Sequence, residues 1–410
     1  MNNSGNDINK NNTLSVIIPV YNEEDGIAEI ITRVLAVHPE LYQIGIDVLE
    51  LIVVDDGSSD RTVEIVRSIP EVRLIIHPVN KGYGAALKTG FSAGKGKLLG
   101  FLDADGTYPP DFFPKLCLAG LNGTQLVVGS RRSGADSEMP LVRKIGNFFW
   151  SSLVSLICGT RVIDPASGMR VFHKDILEEI YPLPDGLNFT PVMSTRAIHE
   201  GISLVEIPIT YKERQGRSKL NVIRDGILFL QTILWTAMYY NPVRILGGIG
   251  LACIAFSVIF VLILLTMRLS GITSLGPLGV AGTYLAVFLG IAGVNIFALG
   301  VIFNYLVSLF HRRPVRQGLF GRPIFSTPLD NHFWWMGTLL VLIGIIIYCA
   351  SFIIALGNWP IERLWLYLLG ATMLLLVGFQ LVIYWIIVRI LDELIKRDIL
   401  VENDLRGQAD

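Results

Sequence analysis

The chain has 410 residues, enough for a soluble core with a second region beside it, and 51% of them are hydrophobic. Its formal net charge of −1 excludes the overall basic charge on which non-specific nucleic-acid binding rests. Four cysteines (Cys117, Cys158, Cys253 and Cys349) stand far apart with no CxxC or Cys/His spacing, which argues against a disulfide framework or a structural zinc.

Residues 1–12 are polar and lack the apolar core of a signal peptide, so they read as a disordered leader to a domain that stays in the cytoplasm. Leu14–Val20 is a continuous apolar run, as expected of a strand buried on both faces. An amphipathic stretch follows from Glu24 to His38, then a strand through LELIVVDD, a helix from Asp60 and a strand at Val72–Ile76. A helix from Gly82, a strand running into Asp103, a helix behind Pro109–Pro110 and a strand at Leu126–Ser130 complete the alternation. That order predicts a mostly parallel, doubly wound sheet. From Gly134 to Pro184 the pattern weakens and reads as loops, before a further strand at Ser203–Tyr211.

Arg214–Lys219 is a basic loop, and Asn221–Tyr240 is mixed apolar and aromatic, as in a helix lying at a membrane interface. Four apolar spans follow, at Ile245–Met267, Leu278–Phe310, Phe333–Leu356 and Leu364–Ile390. Each reaches the roughly 20 residues a bilayer requires. The connection His311–Arg322 carries four arginines, whereas the loops near Gly271 and Asn358 are nearly uncharged. The positive-inside rule then places that loop and both termini in the cytoplasm. The expected division is a leader over 1–12, a catalytic domain over 13–220, a juxtamembrane helix over 221–243, four membrane helices over 244–395 and a tail over 396–410.

The chemistry concentrates at FLDADGTYPP. On an extended strand, Asp103 and Asp105 point the same way and can face one hard divalent cation, Mg²⁺ or Mn²⁺. Asp55 and Asp56 sit at the carboxyl end of another strand, where open α/β sheets bind ligands. One aspartate suits a turn cap and the other a ribose or base contact. KGYGAALKTG (81–90) has the look of a phosphate-cradling loop that opens a helix, with close helix–sheet packing as the alternative. Arg131, Arg132, Arg143, Arg170, Arg214, Arg217 and Lys219 suggest an anion pocket near lipid headgroups, or a surface for anionic lipid. Asn295, Asn304 and Gln380 inside the spans read as interhelical hydrogen-bond partners. The histidines form no catalytic signature.

Taken together, VIIPVYNEE, VVDDGSSDRT, NKGYGAALKTG, FLDADGTYPP, VVGSRR, DPASGMRVF and EIPITYKERQGRSK resemble the inverting family-two glycosyltransferases. The similar branch is that of dolichyl-phosphate mannose or glucose synthases and bacterial polyprenyl-phosphate glycosyltransferases. The resemblance covers about residues 13–220 and implies a Rossmann-like GT-A domain that binds a nucleotide sugar. It implies that Pro19, Tyr21, Glu23, Asp56, Lys81 and Asp103 hold the nucleotide, and that Asp103, Asp105 and Arg131 are catalytic. The metal would fall to Asp105 and Asp103, with Thr107 standing where relatives often carry a glutamine. The lipid phosphate would fall to Arg131, Arg143, Arg170, Arg217, Ser218 and Lys219. The implied partners are a nucleotide sugar, a polyprenyl phosphate and the bilayer, with no nucleic acid; a homo-oligomer stays open. Such a phosphate is already an anion near neutrality and needs no general base. One rival is a processive polysaccharide synthase, whose QxxRW motif is here QTILW at Gln231–Trp235, with Leu234 in place of arginine. The other is a lipid-sugar flippase, for which the spans offer few charged residues.

Overall fold

The computed structural model describes residues 12–131, 141–212, 222–271, 274–311, 328–356 and 361–405. The chain divides into two compact units, Met1–Thr236 and Ala237–Asp410.

The first unit is built on one seven-stranded sheet. Strands β1 (Thr13–Val20), β2 (Val48–Asp55), β3 (Val72–Ile76) and β4 (Leu98–Phe101) run parallel. Between them lie α1 (Ile27–Ala36), α2 (His38–Gln43), α3 (Thr62–Arg67) and α4 (Tyr83–Ala93). Every residue of β1 after Thr13 is buried, which is why its sequence runs apolar instead of alternating. Alternate β1 side chains serve opposite faces: Leu14, Val16 and Ile18 pack with Ile27, Ile30, Ile31 and Val34 of α1. Ile17 packs on the other side with Ala86, Leu87 and Phe91 of α4. The 3–4 spacing on α1 and the period of two on β1 are the two halves of one sandwich.

After α5 (Phe113–Leu121) and β5 (Leu126–Ser130) come α6 (Leu141–Cys158) and β6 (Arg170–His173), which, like the two helices that follow them, are absent from the sequence reading. Helices α7 (Ile176–Ile180) and α8 (Phe189–Glu200) and strand β7 (Leu204–Pro208) follow. β6 inserts antiparallel between β4 and β5, giving the order β3-β2-β1-β4-β6-β5-β7. All other pairings are parallel. The insertion sets Arg170 opposite Phe101 and so brings the loop before β6 to the carboxyl end of β4. Helix α9 (Val222–Tyr240) closes this unit's described chain and continues past its boundary at Thr236.

The second unit is helical: α10 (Pro242–Leu269), α11 (Pro277–His311), α12 (Phe333–Leu356) and α13 (Ile361–Leu405). All four contain stretches long and apolar enough to cross a membrane, as expected. Consecutive helices pack as two hairpins, and α11 lies against α13. Each hairpin is closed at a pair of glycines. A Cβ on Gly250 would lie 2.6 Å from the Gly293 carbonyl oxygen, and one on Gly337 would lie 2.6 Å from that of Gly378. The backbones therefore touch where only hydrogen can fit between them. Asn295 Oδ1 accepts from the Tyr384 hydroxyl, joining α11 to α13, whereas buried Gln380 Oε1 has no partner among the described residues. The arginine-rich connection 312–322 lies outside the described residues.

Candidate active site

β4 ends at Phe101, two residues short of Asp103, so the aspartates do not share a strand face as the i, i+2 parity predicts. A turn gathers them instead, through Gly106 at φ +75°. Asp105 Oδ1 accepts from the Thr107 amide at 3.2 Å and from the Thr107 hydroxyl at 2.5 Å. Thr107, expected to ligate the cation, is only 1% exposed, and its hydroxyl donates to Asp105 and so orients that carboxylate. Asp103 Oδ1 accepts from the Tyr83 hydroxyl at 2.7 Å. Gly168 presses on the same carboxylate, for a Cβ there would lie 2.6 Å from Asp103 Cγ. Gly168 itself donates its amide to the Tyr108 hydroxyl at 2.7 Å.

The second acidic pair splits its work differently from expectation. Asp55 Oδ2 caps the following turn, accepting from Gly57 and Ser58 amides at 3.1 and 3.0 Å, while its buried Oδ1 has no partner among the described residues. Asp56, expected to hold the nucleoside, is instead enclosed by its own loop. Its Oδ1 meets His77 Nδ1 at 2.8 Å and the Lys81 amide at 2.9 Å, and Oδ2 meets the Gly82 amide at 2.8 Å. The next amides of α4, those of Gly84 and Ala85, donate to the Asp185 carbonyl at 2.7 and 3.2 Å. The phosphate-cradle reading of residues 81–90 fails for that reason: protein acceptors already fill this helix start. Pro19 is buried in β1, Glu23 is half-buried, Tyr21 is 37% exposed and the Lys81 residue is exposed.

Arg131 leaves the end of β5 and meets Asp164, which is fully buried. Nε and Nη2 donate to the two carboxylate oxygens at 2.8 and 2.6 Å, and the Arg131 amide adds a third bond at 3.0 Å. Tyr108 and Tyr211 flank the guanidinium at 5.9 and 5.8 Å from their ring centres. Asn147 of α6 also donates to Asp164. Burial alone would raise the Asp164 carboxyl pKa, but the guanidinium outweighs it and holds the group below its ordinary value.

Removing one member of such a pair strands the other. Asp164→Ala is expected to cost about 3–5 kcal/mol of stability, read as a lower unfolding midpoint. With the folded pKa depressed, the pair's contribution is complete above the unfolded value of about 3.9 and is lost as pH falls below it through the folded value. The parent's midpoint should therefore drop more steeply than the variant's as pH falls below about 4.

Arg170 departs from its expected place at the lipid phosphate. It is fully buried, with Nε on the Ser167 carbonyl at 3.2 Å and Nη2 on those of Pro165 and Thr190 at 2.7 and 3.0 Å. Pairing β6 between two strands is what carries it inside. Arg132, Arg214, Arg217, Ser218 and Lys219 lie outside the described residues, as does the side chain of Arg143 in the first turn of α6. Tyr83, Asp164 and Gly168 escaped the sequence reading although each sits in a stretch it singled out (GYG and DPASG).

The donor set suits a divalent cation in part. Asp103 and Asp105 offer hard oxygens from one turn, and among the described residues no cluster of three or more His, Cys, Asp or Glu side chains could hold an ion alone. An ion here would complete its shell from a substrate's phosphate oxygens and water.

Residues 15–181 match Glycosyl transferase family 2, and residues 242–402 match a domain of unknown function, DUF8752. Undecaprenyl-phosphate 4-deoxy-4-formamido-L-arabinose transferase of Edwardsiella ictaluri is 28% identical over 73% of this chain and 90% of its own length. The enzyme of that name from Photorhabdus laumondii is 29% identical over 78% of this chain and 96% of its own. The low-salt glycan biosynthesis hexosyltransferase Agl6 of Haloferax volcanii is 34% identical over 56% of this chain and 54% of its own. Among solved structures, glucosyl-3-phosphoglycerate synthase from Mycobacterium tuberculosis, with Mn²⁺, UDP and glucosyl-3-phosphoglycerate, aligns at TM-score 0.43 and 23% identity. It covers 54% of this chain and 78% of that one.

Proposed function

We propose that this chain, a member of glycosyl transferase family 2 through residues 15–181, moves one sugar from a nucleotide-sugar donor to a membrane polyprenyl phosphate. The observation that carries the reading is the turn at the carboxyl edge of the sheet that gathers Asp103 and Asp105, in a chain whose relatives are undecaprenyl-phosphate sugar transferases. The donor would be a UDP- or GDP-sugar and the acceptor undecaprenyl or dolichyl phosphate. The product is a lipid-linked monosaccharide for glycan assembly.

In this reading Asp103 and Asp105 would hold a divalent Mg²⁺ or Mn²⁺, whose chemistry would be to neutralise charge on a departing nucleoside diphosphate. Thr107 fixes the Asp105 rotamer, and Tyr83 and Gly168 fix Asp103. Pro19, Tyr21, Glu23 and Lys81 line the nucleotide, with the unpartnered Asp55 Oδ1 a better buried acceptor than the enclosed Asp56. Arg131, steadied by Asp164, binds the acceptor phosphate with Arg143, Arg217, Ser218 and Lys219. The acceptor oxygen is largely ionised near neutrality, so no side chain has to remove a proton from it. In-line attack then inverts the anomeric centre.

Helices α6 and α9 suit work at a bilayer surface. They meet through Trp150 and Phe229, ring centres 5.9 Å apart, and expose Phe148, Phe149, Leu156, Ile227 and Trp235. The catalytic unit and both termini face the cytoplasm by the arginine asymmetry of the connections.

The test is direct. Purified protein in detergent is incubated with Mn²⁺ or Mg²⁺, undecaprenyl phosphate and a panel of UDP- and GDP-sugars, and lipid products are weighed by mass spectrometry. A metal-dependent adduct of one sugar on the lipid phosphate is the expected result. Polymer-length product, or no adduct with any donor, would overturn it.

A further inference from the structure

We propose that Tyr83 is a positioning residue, one that fixes the Asp103 carboxylate for donor binding while touching no substrate itself. The proposal rests on the donor-binding reading above.

Tyr83 opens α4 from a backbone held on both flanks. The amides of Lys81 and Gly82 before it are bound by Asp56, and those of Gly84 and Ala85 after it by the Asp185 carbonyl. Gly82 and Gly84 permit this because a Cβ on either would strike the 184–185 backbone; on Gly82 it would lie 2.5 Å from the Asp185 oxygen. From that fixed root the phenol reaches across to a different strand end and donates to Asp103 Oδ1 at 2.7 Å. Gly168 closes the opposite side of the carboxylate. Its seat is thus built by three loops far apart in sequence.

Arg170 supplies the charge behind it. The guanidinium is fully buried, forms no ion pair among the described residues, and leaves Nη1 without a hydrogen-bond partner among them. Burial pushes its pKa down to about 10.

Tyr83→Phe in the full-length protein removes one oxygen and little volume. The unfolding midpoint and the KM for undecaprenyl phosphate should stay at parental values. Affinity for Mn²⁺–UDP or Mn²⁺–GDP, read by Mn²⁺ paramagnetic resonance without turnover, should fall roughly tenfold or more, as for loss of a charge-assisted bond. In an Asp103→Ala background the same change should add nothing, because the tyrosine acts through that carboxylate. Unchanged metal–nucleotide affinity, additive losses in the double variant, or donor and lipid constants falling together with the midpoint would each overturn the proposal. A parent that binds neither metal–nucleotide pair would sink the donor reading itself; a parent that binds while Tyr83→Phe matches it would sink only the tyrosine.

Discussion

Replacing Asp105 with asparagine should reduce kcat/KM for the donor by about a thousandfold or more while leaving the unfolding midpoint within a few degrees of the parent. The two effects separate because the side chain does two jobs. Its Oδ1 accepts both bonds that shape the turn, from the Thr107 amide and hydroxyl. An asparagine oxygen can accept both, so the turn survives. The negative charge does not survive, and a hard cation loses one of the two anionic donors this turn provides. Rates of lipid-adduct formation, set beside thermal unfolding in detergent, check the expectation. A near-parental rate at saturating metal would remove Asp105 from the site.

Gly168→Ala should prove nearly as harmful by steric means alone. The added methyl would sit in hard contact with Asp103 Oδ2 and 2.6 Å from its Cγ and Oδ1. The atoms that must yield are those of the carboxylate itself, which the Tyr83 hydroxyl holds in place. Either the carboxylate turns away from the Tyr83 hydroxyl, or the 164–170 loop withdraws and loosens the Tyr108 contact. A displacement of about 1 Å at a reacting group commonly costs about a hundredfold in rate. Overpacking of about 1–3 kcal/mol should also lower the unfolding midpoint. Gly146→Ala in α6 is the control, since a Cβ there meets nothing within 4 Å. Equal activity in the two variants would show that the Asp103 seat tolerates movement.

What could be read from the sequence follows from how local each signal is. β3 and β5 fall on the residues expected, because buried strands are bounded by their own apolar runs. The membrane helices were equally legible, because crossing a bilayer demands a length no other element shares. The geometry of the acidic turn was misread: strand parity was extended past Phe101, where the chain had already turned. The partners of Asp56, Tyr83 and Asp164 were not legible because they lie 20 to 33 residues away in sequence. β6 gave no signal since four residues carry no period, and its pairing alone turns Arg170 from an apparent ligand into a buried support.

The glycine contacts of the helical unit bear on how the chain is made. Lipid offers no solvent-driven pressure to push helices together, so association depends on close packing and a few polar bonds. Gly250 with Gly293, and Gly337 with Gly378, give each hairpin a seam of its own between helices adjacent in the chain. The first pair can therefore zip shut before the second has been synthesised. The Asn295–Tyr384 bond, spanning 89 residues, has to wait for the last helix. The order of assembly these contacts favour is closure of each hairpin on its own, followed by docking of α11 on α13.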